Sequence, residues 1–271
     1  MSDLQKQEAE RLIQLNDAQN AEIKKDVEKE PLISAPFKLS VLFDEYQNAP
    51  NFLKKASALE TVFGKTSIRK ARKDGNCFYR SFLFRLCELL CMGGQHFDRF
   101  KIFEKVKQFS DMMLKAGFDK IVFEDFESFF LEFLNAIKDG SINILNVQQS
   151  LSDKSTFDYY VMYLRFAISA YIRTSGGLFD MYFESDFDLK NFCMREVEPI
   201  DAEADQIQII SLYNLWEIPI RIYYLDNNPS EVPTVLSLPD LDNNDAEGVR
   251  KSQGTYLVQV LYRPGHYDIL Y

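Results

Sequence analysis

Histidine and cysteine are scarce in this chain, and each scarcity removes a class of function. His96 and His266 are the two histidines in 271 residues, so a zinc site would need an unusual ligand set. The four cysteines, Cys77, Cys87, Cys91 and Cys193, fit free thiols better than two disulfides. That reading follows from an intracellular, reducing setting, since the opening Met-Ser-Asp-Leu-Gln-Lys-Gln lacks the apolar core of a signal peptide. A cytoplasmic location, extending to the nucleus, is expected. No apolar run approaches bilayer length, so no membrane partner is expected. Basic residues are outnumbered, 31 Lys and Arg against 41 Asp and Glu, for a net charge of −10. That balance argues against nucleic acid as a partner and favours one with a basic face. There is no glycine-rich phosphate loop, metal-ligand spacing or internal repeat, so no metal or organic cofactor is expected.

What the chain does have is aromatic bulk: 23 Phe and 14 Tyr, enough for a large packed core. Residues 3–29 are rich in Glu, Lys, Gln and Ala and read as a helix closed by Pro31. Its apolar positions, among them Ile23 and Val27 one turn apart, are too sparse to dock on a core. Residues 1–30 therefore form a helical arm, either a solvated extension or a partner-binding element, ahead of a body at 31–271.

Short helices are expected at 39–46 and 52–63, a short strand at 66–69, and an apolar helix from Cys77 to about Cys91. Amphipathic helices follow at 98–115 and 123–138. In the second, Phe123, Phe126, Phe129, Phe130 and Phe133 recur at the spacing of one buried face. A short helix at 141–151 precedes a long buried one at 157–173, capped by Ser155 or Thr156, with Asp158 in its first turn. Gly176-Gly177 breaks the chain before an exposed aromatic segment at 178–183, and 187–197 and 205–216 are again helical. Strands are expected at 218–225, 256–262 and 267–271, with a polar loop over 226–254. The fold class is α+β, a small sheet flanked by many helices.

Two stretches carry candidate chemistry. Asp74-Gly75-Asn76 is a turn that delivers Cys77 onto a helix start, where the helix dipole favours thiolate and the turn leaves backbone N–H groups free to hold an oxyanion. A small buried hydrophobe leading an apolar helix has the same pattern. Near the other end, His266 and Asp268 are two apart in a strand-like segment, so both side chains project to one side. A carboxylate so placed can orient an imidazole toward a nucleophile, although an ordinary turn histidine beside an unrelated acid reads the same way.

Asp74-Gly75-Asn76-Cys77-Phe78-Tyr79-Arg80 and the ending Tyr262-Arg263-Pro264-Gly265-His266-Tyr267-Asp268-Ile269-Leu270-Tyr271 together resemble the otubains, ovarian-tumour-domain cysteine proteases of papain-like fold that remove ubiquitin. Glu124-Asp125-Phe126, Ser155-Thr156 with Asp158-Tyr159, Tyr163-Leu164-Arg165 and Glu196-Val197-Glu198-Pro199 match in the same order. The resemblance spans residue 31 to the end. It implies Cys77 as nucleophile, His266 as general base and acid, and Asp268 as the residue that orients His266. It places Asp74 in the oxyanion loop, with its backbone N–H expected to matter more than its carboxylate. The implied reaction is hydrolysis of ubiquitin isopeptide bonds through a thioester, without a cofactor.

The arm resembles the extended branch of the family, which implies contact of the arm with a second ubiquitin and a preference for the proteasome-targeting linkage. It also implies a second class of function, non-catalytic binding and inhibition of ubiquitin-conjugating enzymes. Tyr182, Phe183, Asp205 and Gln206 fall in ubiquitin-facing stretches, and Ile23 and Val27 are the expected contacts of the arm. The chain departs from the family in the arm, which shares little beyond helical character, and in the longer 226–254 loop.

Overall fold

In the computed structural model, which describes residues 8, 11, 22, 25–92, 97–183, 187–241 and 246–271, strand pairing builds one six-stranded sheet. Its strands are β1 (Phe37–Lys38), β2 (Ser67–Arg69), β3 (Ile220–Tyr224), β4 (Thr234–Leu238), β5 (Val258–Arg263) and β6 (His266–Leu270), in the spatial order β1-β2-β6-β5-β3-β4. All neighbours are antiparallel except β3 and β5. Those two run parallel because the chain leaves the sheet centre after β3 and returns only at β5. β5 and β6 form a tight hairpin in which Arg263 pairs with His266, leaving Pro264 and Gly265 to turn the chain. Gly265 has φ +71, a conformation that side-chain-bearing residues rarely adopt.

Alternation along the strands feeds two cores. Ile220 and Ile222 of β3, Val258 and Val260 of β5, and Tyr267 and Ile269 of β6 face the larger one. Tyr223, Leu261 and Leu270 face a smaller one with Leu39, Leu42 and Leu59. Five helices matter most: α1 (Pro50–Thr61), α2 (Cys77–Met92), α3 (Lys120–Lys138), α4 (Lys154–Thr174) and α5 (Gln206–Trp216). α2 lies against β5 and β6 and is covered in turn by α3 and α4. That sandwiching explains why α2 is apolar nearly all round. No helix among the described residues is long and apolar enough to cross a membrane.

The observed elements differ from expectation in several places. The 226–254 segment is not a bare loop. It contains β4 and the helix Ala246–Lys251. β4 is an edge strand bracketed by Pro233 and Pro239, which makes its sequence read as loop. The excursion is pinned by buried Arg221 of β3, which donates to Ser237 Oγ (3.1 Å), the Val249 carbonyl (2.9 Å) and Ser252 Oγ (2.8 Å) and stacks on Tyr256. The helix expected over 98–115 is two, Arg99–Val106 and Phe109–Lys115. α4 starts at Lys154 and is capped by Asp153, whose carboxylate accepts the Thr156 N–H at 2.8 Å, so neither Ser155 nor Thr156 is the cap. Of the 178–183 segment, Phe179 is buried against Tyr171. Cys87 is buried but Cys91 only partly so. Of the expected arm helix, 25–29 is helical, and most of the rest, Ile23 included, lies outside the described residues.

The phenylalanine stripe divides. Phe123, Phe130 and Phe133 are buried, whereas Phe129 is 40% exposed. Phe130 packs between Tyr160, Tyr163 and Trp216. Phe130→Ala should therefore cost about 3–5 kcal/mol in urea unfolding and Phe129→Ala less than about 1 kcal/mol. Equal costs would contradict this assignment of the buried face.

Candidate active site

Cys77 is the first residue of α2, and the turn before it is closed by local hydrogen bonds. The Asp74 carbonyl accepts the Cys77 N–H at 3.1 Å, and the Asp74 carboxylate accepts the Asn76 N–H at 3.0 Å. Arg80, one turn into α2 and fully buried, holds the same carboxylate (Nη1–Oδ1 2.6 Å) and reaches Asp158 of α4 at 2.9 Å. The Asp74 N–H is not free, as had been expected for an oxyanion donor. It donates to the Arg72 carbonyl at 2.9 Å. Arg72 is itself tied to the start of the body, its Nε to the Glu30 carbonyl (2.8 Å) and its N–H to that of Leu32 (3.0 Å). Of the N–H groups from Asp74 to Cys77, that of Gly75 alone lacks a partner among the described residues. A side chain at Gly75 is excluded, because a Cβ there would lie 1.8 Å from the Asp201 carbonyl oxygen.

The helix dipole does not make Cys77 a thiolate in this state. The thiol is buried, and burial is the largest influence, pushing its pKa up from near 9 to about 12. Backbone N–H groups of Tyr267 and Phe78 aimed at the sulfur pull it back only in part, and the charges of Asp74 and Asp268 push it further up.

His266 and Asp268 both lie on β6, buried, on the sheet face opposite Tyr267 and Ile269. His266 Nε2 is 2.8 Å from Asp268 Oδ1, which also accepts the Ala71 N–H at 2.9 Å. Asp268 Oδ2 accepts from Arg263, which pairs in turn with Glu45 at 2.7 Å. Burial alone would raise the Asp268 pKa. The hydrogen bond from His266, the charge of Arg263 and the Ala71 N–H outweigh it and hold the carboxyl below its ordinary value. His266 Nδ1 is buried without a partner, and no hydrogen bond joins His266 to Cys77 among the described residues.

Cys77 opens onto a cleft of about 620 Å³ whose walls include Glu196, Glu203, Asp205, Gln206 and Tyr267. His266, Asp74 and Gly75 line an adjoining cavity of about 260 Å³, and Glu203 and Gly265 border both. Asp205 caps α5 in a capping box with Gln208, and Gln206 is the first residue of that helix. The structure thus gathers Cys77, Asp205 and Gln206 around one cleft. It does not place Tyr182 or Phe183 there: Tyr182 is 39% exposed, and Phe183 stacks on Phe187 and meets Phe192 edge-on. Val27 is half-buried in the described end of the arm. No group of three His, Cys, Asp or Glu side chains able to hold a metal gathers among the described residues.

Sequence reasoning passed over Arg80, Arg165 and Arg263, all buried within this site. The signal was present: a guanidinium inside an otherwise apolar helix or strand must find buried acceptors.

A profile of the family described as Peptidase C65 Otubain matches residues 25–271. Human ubiquitin thioesterase OTUB1 is 34% identical over 242 residues, covering 89% of this chain and 83% of that protein. Human OTUB2 is 34% identical over 234 residues, covering 86% and 92%. Ovarian tumor domain-containing deubiquitinating enzyme 1 of Arabidopsis thaliana is 32% identical over 256 residues, covering 90% and 81%. A solved structure of OTUB1 with ubiquitin aldehyde and UBC13~Ub superposes with TM-score 0.81 at 27% identity, over 95% of this chain and 97% of that one. The chain belongs to the otubain family of cysteine-type deubiquitinating peptidases.

Proposed function

We propose that this protein hydrolyses the isopeptide bond between the ubiquitin C-terminus and a lysine side chain, with Cys77 as nucleophile. The observation that carries the reading is a cysteine at a helix start, on an acidic cleft that adjoins a histidine oriented by a buried carboxylate. The relatives' naming as ubiquitin thioesterases, and a neighbour solved with ubiquitin aldehyde, support ubiquitin as the substrate. Glu196, Glu203 and Asp205 on the cleft walls suit the basic tail of ubiquitin.

With its Nε2 side held by Asp268, His266 offers Nδ1 as the proton acceptor. Cys77 attacks the carbonyl as its proton passes to Nδ1, and the Gly75 N–H is the donor available to the oxyanion. The imidazolium then protonates the departing lysine amine. Water, deprotonated by His266, releases the thioester. The thiol and the imidazole must close together on the substrate for the first transfer, because no hydrogen bond links them in this state.

The proteasome-targeting linkage is the preference we assign, acting through residues 1–30 as a recognition arm outside a catalytic body at 31–271. A second reading, binding and inhibition of charged ubiquitin-conjugating enzymes, is supported by OTUB1 structures that contain UBC13~Ub and UBCH5B~Ub. It is compatible with the first. Both functions are assigned to the cytoplasm and nucleus.

Cys77→Ala should abolish cleavage of di-ubiquitin and leave ubiquitin binding intact. An electrophilic ubiquitin probe should label Cys77 and spare buried Cys87 and Cys193. Because folding raises the Cys77 pKa, the native state holds its proton where the unfolded chain has lost it. Stability should therefore fall as pH rises from near 9 toward about 12, and Cys77→Ala should flatten that limb in thermal melts. Probe labelling of Cys77→Ala would point to another nucleophile.

His266→Ala should lower kcat/KM by about 10³-fold or more, since no base remains. Asp268→Asn should lose less, because an amide oxygen still accepts from the ring. Wild-type rates in Asp268→Ala would remove Asp268 from the mechanism.

Deleting residues 1–29 stops short of the Glu30 carbonyl held by Arg72, so the thermal midpoint should stay nearly unchanged. Di-ubiquitin cleavage should fall far more than cleavage of ubiquitin bearing a small leaving group, and inhibition of a conjugating enzyme should disappear. Equal losses on both substrates would assign the arm to the body.

A further inference from the structure

We propose that Arg165 is a positioning residue that sets the width of the Cys77 cleft by fastening both of its walls to one guanidinium. The inference rests on the assignment of Cys77 as nucleophile. Arg165 lies in the middle of α4, is fully buried, and lines neither cavity of the site. Its Nη2 is 2.6 Å from Asn76 Oδ1 and 3.1 Å from the Gly75 carbonyl, the two residues that immediately precede Cys77. The same nitrogen is 2.9 Å from the Ile200 carbonyl and 2.7 Å from that of Ala202, and Nη1 donates to the Val197 carbonyl at 2.8 Å. That second set leads directly into Glu203, Asp205 and Gln206 on the opposite wall.

All five acceptors are neutral oxygens, and the charge also lies over the Tyr79 ring at 4.1 Å from its centroid. A buried cation held by carbonyls rather than by a carboxylate does not form a simple ion pair. It gathers backbone from two separate loops toward one point. The walls already touch at Gly75, where a Cβ would strike the Asp201 carbonyl, so the loops have no slack in that direction. The second guanidinium nitrogen, Nη1, adds the Val197 carbonyl, a contact that the single nitrogen of an ammonium cannot make together with the four around Nη2.

The test uses full-length Arg165→Met and Arg165→Lys with two readouts. The first is kcat and KM on ubiquitin bearing a small fluorogenic leaving group. The second is iodoacetamide alkylation near neutral pH, mapped by mass spectrometry, which needs no ubiquitin. Arg165→Met should lower kcat/KM by about 10²-fold, the loss typical of a reacting group displaced by about an ångström. Arg165→Lys should fall between it and wild type. In both, Cys77 should alkylate faster, by about tenfold in Arg165→Met, as the turn loosens and water reaches the sulfur. Cys87 and Cys193 should stay protected, which separates a local change from unfolding. Wild-type kinetics, an unchanged Cys77 alkylation rate, or equal exposure of all three thiols in both variants would overturn the inference. If wild type cleaves no ubiquitin substrate, the catalytic assignment fails, and the alkylation pattern still decides whether Arg165 sets the environment of Cys77.

Discussion

Placing an ionised carboxylate out of reach of water costs several kcal/mol, on the order of the whole stability of a small domain, unless donors and opposite charge surround it. Asp268 is surrounded by contributions from three strands. Ala71, just beyond β2, gives a backbone N–H, His266 on β6 gives its Nε2, and Arg263 at the end of β5 gives its guanidinium. The order β2-β6-β5 at the sheet centre is what allows these groups to converge. Arg263 is balanced by Glu45, which also pairs with Lys70. The alternation of charge continues outward until it reaches solvent. Removing Arg263 or Asp268 leaves the other as a buried unpaired charge, which typically costs about 3–5 kcal/mol. The fold and the orientation of His266 are thus not separable.

The Cys77 side of the site follows a different logic. Two buried guanidiniums hold the turn before Cys77, Arg80 through the Asp74 carboxylate and Arg165 through Asn76 and Gly75. Asp74 is therefore a structural anion whose charge is taken up by Arg80, and not an acid aimed at the reacting carbonyl. Packing this rigid enough to align an N–H for an oxyanion also removes water from the sulfur. Burial then outweighs the helix terminus and raises the thiol pKa. A neutral, buried thiol is poorly reactive toward small electrophiles.

Much of this was legible in the sequence because the informative signals were local. The turn Asp74-Gly75-Asn76, the apolar run after Cys77 and the two-residue spacing of His266 and Asp268 each imply geometry within one element. The helices carried their own period, and α3 and α4 fall where the apolar pattern places them. What was missed depended on partners distant in sequence. β1 has two residues and no pattern, so only its pairing with Ser67 and Ile68 makes it a strand. β4 hides between prolines, and its place is set by β3 and by Arg221. The raised pKa of Cys77 follows from burial, which no local window reports. Arg165 looked like one residue of a helix motif, yet its acceptors lie 32 to 90 positions away.

The charge on the cleft links binding to chemistry. Asp74 and Asp268 already disfavour a negative sulfur, and Glu196, Glu203 and Asp205 add acidity along the walls. An empty cleft therefore opposes the thiolate that the reaction requires. A basic peptide tail lying between those walls would bring positive charge toward the sulfur and displace water from the acids at the same time. The positive charge reduces the penalty for placing a negative charge on Cys77. Binding energy from a part of the substrate that does not react would thus be spent on the transition state, which is the condition for it to raise kcat. A neutral or acidic peptide with the same scissile bond would fit the cleft without relieving the penalty. Selectivity for a basic tail would then appear in turnover as well as in affinity.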